Sequence, residues 1–71
     1  PMDREAKFVL ALLLSYSGKM DEARNVLLEI IESDNDKYSP AIDLLAEIYF
    51  ITNKTDAYRF LNFIQSKGWI K

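Results

Sequence analysis

Apolar positions recur along the chain three and four residues apart, the period of a helix face, and polar clusters interrupt them three times. The breaks are Ser17-Gly18-Lys19, Ser33 to Ser39, and Thr52-Asn53-Lys54. They divide the sequence into four helical segments, and nothing alternates as a strand does. Asp3 stands as the N-cap of the first segment and Gly18 as its stop, because helices often end on a left-handed residue. The second begins near Met20, places Asp21 and Glu22 where carboxylates suit the helix dipole, and carries Ala23, Val26, Leu27, Ile30 and Ile31 on one face. Ser39-Pro40 reads as an N-cap followed by proline at the first helical position, ahead of Ile42, Leu44, Leu45, Ile48 and Tyr49. Asn53, with Asp56 three residues on, predicts a capping box for the fourth segment. That segment fades at Ser66-Lys67-Gly68 and leaves Trp69-Ile70 as a short apolar tail.

Loops this short join antiparallel neighbours. The expected architecture is therefore all-α: two stacked antiparallel helical hairpins forming one domain over residues 3–68. Pro1 before Met2 reads as a cloning remnant, with Met2 either a native start or a boundary of the expressed piece.

The two hairpins repeat. Shifting the chain by 34 residues superposes Leu10 on Leu44, Ala23 on Ala57, Leu27 on Leu61 and Ile30 on Ile64. The same shift places Phe8 on Ile42, Leu14 on Ile48, Tyr16 on Phe50 and Val26 on Phe60. In this light the chain resembles the tetratricopeptide repeat family, whose period is 34 residues and whose helix-turn-helix signature places Leu and small residues at fixed positions. Repeat one (4–37) resembles that pattern in Lys7, Leu10, Ala11, Leu14, Ala23 and Leu27, with Gly18 to Ala23 as the inter-helix turn. Repeat two (38–68) is looser, with Ala41, Leu44, Leu45, Ile48, Ala57 and Leu61. Ala11, Ala23 and Ala57 stand where the helices of a hairpin approach closely. Leu45 departs from that rule, and the family's tryptophan and terminal proline are missing, Asn35 and Trp69 standing at the proline positions.

The resemblance implies a concave groove lined by the first helix of each repeat. On this chain the groove would show Glu5, Phe8, Leu12, Ser15 and Tyr16, then Ser39, Ile42, Ala46, Tyr49 and Phe50. Its partner-binding residues are expected to be Phe8, Leu12, Tyr16, Ile42, Ala46, Tyr49 and Phe50, an apolar and aromatic stripe suited to an amphipathic helix or hydrophobic peptide of another protein. Phe8 and Leu12 fall in a run of seven apolar residues, Phe8 to Leu14, and serve equally well as core. The family's charged clamp for chaperone C-termini is not expected, since Phe8, Leu12 and Asp43 occupy the clamp positions.

Both ends of the expected stack are apolar. Val9 and Leu13 superpose on Asp43 and Glu47 of the third segment, so the first helix lacks a polar side. At the other end stand Phe60, Phe63 and Trp69 with no polar capping helix after them, whereas solenoids normally need such caps. Val9, Leu13, Phe60, Phe63 and Trp69 therefore form a second expected surface, for self-association as a homodimer or higher oligomer.

Composition narrows the chemistry. The 71 residues include no cysteine and no histidine, which removes thiolate nucleophiles, imidazole bases and the usual zinc ligands. Two glycines form no phosphate-cradling loop, and no hydroxyl has a base beside it in a recognisable motif. The reading is of a non-enzyme without cofactor or metal. Glu29, Glu32, Asp34 and Asp36 cluster without the glycine of a calcium loop, so a solvated acidic surface is preferred to a cation site. A net charge of −2 and scattered basic residues disfavour nucleic acid. The longest apolar run falls well short of the roughly 20 residues a membrane helix needs. With no secretory signal pattern at the start, the expected setting is intracellular, most simply the cytoplasm.

Overall fold

The computed structural model describes residues 3–70, so the reading of residues 1–2 lies outside the described residues. Four helices follow one another: α1 (Arg4–Tyr16), α2 (Met20–Leu28), α3 (Ser39–Thr52) and α4 (Lys54–Ser66). They pack as the pairs α1 with α2 and α3 with α4, and no strand occurs among the described residues. Two helical hairpins are thus the architecture.

The helix ends show why the chain turns where it does. Asp3 Oδ1 accepts from the Ala6 N–H at 2.8 Å and caps α1. At the other end Gly18 takes φ +80°, while Lys19 N–H donates to Leu14 O and Gly18 N–H to Ser15 O. This is a Schellman ending, and it costs glycine nothing sterically. The same bonds recur after α4, where Gly68 at φ +73° lets Trp69 N–H reach Ile64 O. Between α3 and α4 a single extended residue, Asn53, ends one helix and begins the next, its side chain accepting from the N–H groups of Thr55 and Asp56. Only half of the expected capping box forms, because the Asn53 N–H is already given to Tyr49 O at 2.7 Å.

Two local features differ from expectation. Ser39 is not the cap of α3: the helix starts on it, and the Tyr38 carbonyl accepts from the N–H groups of Ala41 and Ile42. Pro40 has no N–H to satisfy, which removes one of the orphan donors a serine cap would serve. The second helix also does not stop cleanly. After Leu28 it widens into a π-helical stretch, Glu29–Ser33, in which Asp34 N–H reaches Glu29 O, and the chain leaves through Asn35 at φ +51°. Asn tolerates that conformation better than most side chains.

The core runs along the α2–α3 seam. Leu27, Ile30 and Ile31 are fully buried there with Ala41 and Leu45, flanked by Ala11 and Ala23 on one side and by Ile42, Ile48, Phe60 and Ile64 on the other. Principal extents of 30 × 26 × 15 Å leave room for two helix layers at the usual 8–10 Å spacing. Each helix therefore keeps one side open, and what that side carries decides what the protein can bind.

Candidate protein-docking surfaces

The start of α1 is tied to the rest of the fold by charged residues as well as by the buried Ala11. Arg4 pairs with Asp36 at 2.9 Å, and Lys7 with Asp34 at 3.0 Å and Glu29 at 3.3 Å, tying the start of α1 to the π-helical stretch and the loop after it. Lys7 keeps only 15% of its side chain exposed. The hydrogen bond that Lys7 donates to Asp34 raises its ammonium above the ordinary 10.5; partial desolvation opposes this and Glu29 adds to it. Arg4 also lies over the Tyr38 ring at 4.6 Å, and Phe8 meets the same ring edge-on at 5.9 Å. Three members of the acidic cluster, Glu29, Asp34 and Asp36, are therefore counter-ions of α1, with Glu29 and Asp34 still exposed to solvent. Tyr38, which sequence reasoning passed over, is the aromatic hub of this junction; its only signal was an aromatic inside a polar loop.

The expected groove residues separate into three groups. Tyr16 and Phe50, which superpose in the repeat, are open to solvent at 78% and 62% exposure. Phe8, Leu12 and Ala46 are half-buried, Phe8 being held by Tyr38. Ile42 is a correction, and Tyr49 is half-buried. Ile42 belongs to the core. Tyr49 turns toward α4, its ring 5.7 Å from Phe60, and burial pushes its hydroxyl above the ordinary 10.0, with Glu32 adding, Arg24 opposing and Asp56 adding. A large ring beside the Asn53 turn finds apolar cover on the neighbouring helix before it finds water.

The second expected surface also divides. Phe60 is buried between α3 and α4, and Phe63 and Trp69 cover each other edge-on at 6.0 Å, both half-buried, because the Gly68 turn folds the tail back along α4. Phe60 is therefore corrected from association surface to internal packing, while Phe63 and Trp69 keep part of their surface open. Val9 and Leu13 remain open, 52% and 58% exposed, and Leu10 beside them is exposed as well. Ile51 and Tyr58 are open too, a pair that the repeat alignment did not single out.

An open depression of about 450 Å³ lies elsewhere, at the α1–α2 turn, lined by Gly18, Lys19, Met20, Asp21 and Glu22. Its walls are mostly backbone and solvated charge, so it offers little to an apolar ligand. Among the described residues no helix is long and apolar enough to cross a membrane. The surfaces able to discriminate a partner are thus the Tyr16–Phe50 stripe and the outer side of α1. No family model, no curated protein and no solved structure matches this chain.

Proposed function

We propose that this chain is a protein-interaction module of tetratricopeptide type, working inside the cell as an adaptor that receives an amphipathic helix of another protein. The observation that carries the reading is the pair Tyr16 and Phe50, exposed side chains one repeat apart at the ends of α1 and α3. Aromatics so exposed on adjacent repeats are the residue type that anchors interfaces. One turn before each lies a half-buried apolar residue, Leu12 and Ala46, giving a stripe that extends along both helices. Asp43 and Glu47 are exposed on α3 on the side of Phe50, so the favoured partner has an apolar stripe edged with Lys or Arg.

Calorimetric titration with a synthetic amphipathic Leu/Lys helix, against a scrambled peptide of the same composition, tests this. Binding should favour the helix, and Phe50→Ala should weaken it roughly tenfold or more, about 1.4 kcal/mol, with helical content and solution mass unchanged. Equal binding of the two peptides, or indifference to Phe50→Ala, defeats the reading. Loss of an oligomer on the same substitution would reassign the stripe to self-assembly.

A further inference from the structure

The outer side of α1 adjoins the stripe of Phe50, sharing Tyr16 with it, and its residues form a self-complementary seam. Ala6, Val9, Leu13 and Tyr16 are all exposed, and they follow one another at intervals of three, four and three residues, the spacing of a helix seam that packs against another helix. No charge falls within the stretch from Val9 to Tyr16. The cations of α1 are drawn to the opposite side, Arg4 to Asp36 and Lys7 to Asp34 and Glu29, which leaves Asp3 and Glu5 at the start of the outer side. Lys19 stands exposed just beyond its end.

We infer that α1 pairs antiparallel with α1 of a second copy of this chain, about a two-fold axis at the level of Ala11. This register sets Val9 against Leu13 of the other copy, the small Ala6 against the large Tyr16, and Asp3 against Lys19. Three matches of size or charge fall on one centre, as an isologous contact requires. A parallel pairing opposes Tyr16 to Tyr16 and gathers the acidic ends, so it loses both complementarities. A helix of 13 residues is about 20 Å long, which makes a seam smaller than the roughly 1,200 Å² of stable interfaces, so the dimer is a concentration-dependent one. The seam adjoins the Phe50 stripe and shares Tyr16 with it, while Val9 and Leu13 belong to the seam alone.

The chain is free of cysteine, so engineered thiols report geometry directly. Under mild oxidation a mixture of the Ala6→Cys and Tyr16→Cys chains should give a disulfide-linked dimer that either chain alone loses. In the antiparallel register the two Ala6 positions are about 15 Å apart, beyond disulfide reach. Sedimentation should show the unmodified chain gaining mass with concentration and Leu13→Glu remaining a monomer. Because Leu13 is exposed, that variant should keep its helical content, and it should still bind the Leu/Lys helix, so failure here and failure of the groove reading are told apart. A monomer at every concentration overturns the inference and gives the face to a different protein. Cross-linking of Ala6→Cys with itself as readily as with Tyr16→Cys overturns the antiparallel register.

Discussion

Leu45 gives the sharpest test of how the two hairpins are held together. It superposes on Ala11 in the 34-residue repeat, yet both are fully buried. The difference lies in surroundings: α3 packs against α1, α2 and α4, whereas α1 packs mainly against α2. A leucine can fill the junction of several helices where alanine suffices between two. Removing its methyl groups by Leu45→Ala should cost about 2–5 kcal/mol, the transfer loss plus a cavity that rigid neighbours cannot close. A domain of this size has on the order of 3–5 kcal/mol in total. With a urea slope near 1 kcal/mol per M, the midpoint should fall by ~2–5 M, and at the upper end the chain is unfolded without denaturant. Circular dichroism during urea titration measures this, with Leu13→Ala as the exposed control, expected within about 0.5 kcal/mol of the parent. A loss below about 1 kcal/mol would refute the packing argument. Two separate transitions would show that the hairpins fold independently and that the α2–α3 seam contributes little.

Two further outcomes follow from local geometry and charge. Gly18→Ala and Gly68→Ala should each lose about 1–2 kcal/mol in the same titration, because both residues hold positive φ and an added Cβ would meet nothing within 4 Å, so the cost is backbone alone; unchanged stability in either would deny that helix its left-handed ending. Lys7 and Tyr49 both hold their protons more tightly in the folded chain, so their contribution is complete below the ordinary values of 10.5 and 10.0 and drains away as pH rises past them. The urea midpoint should therefore drop between about pH 9 and pH 11, less steeply in Lys7→Met and in Tyr49→Phe, and an unchanged slope in both variants would remove these groups from the explanation.

What could be read before the fold was known follows the distinction between local and distant causes. Asp3, Gly18, Asn53 and Gly68 act on backbone groups a few residues away, so the helix boundaries they set were legible, and so was the pairing of helices across short turns. The π-helical stretch was not. Ile30 and Ile31 satisfy a helix face whether the turn closes with four residues or five, and the polar residues after them suit either ending. Ser39 misled for a related reason: serine before proline favours a helix start, but which carbonyl receives the first bonds depended on Tyr38.

The candidate surfaces were harder still, because periodicity locates a helix face only when the other face is polar. From Phe8 to Leu14 every residue is apolar, so the pattern cannot say which side of α1 turns inward. The choice is made by contacts distant in sequence: Ala11 is fully buried in the core, and Lys7 and Arg4 reach carboxylates 22 to 32 positions along the chain. With those cations directed to Glu29, Asp34 and Asp36, Ala11 is fully buried while Val9 and Leu13 face out. Turning α1 half-way round would bury Val9 and Leu13, but it would pull Lys7 off Asp34 and Glu29 and put larger side chains where the small Ala11 now lets the helices approach. The open apolar side of α1 is thus set by contacts that lie far along the chain, the burial of Ala11 together with the ion pairs of Arg4 and Lys7, and no local pattern within Phe8 to Leu14 could have shown it.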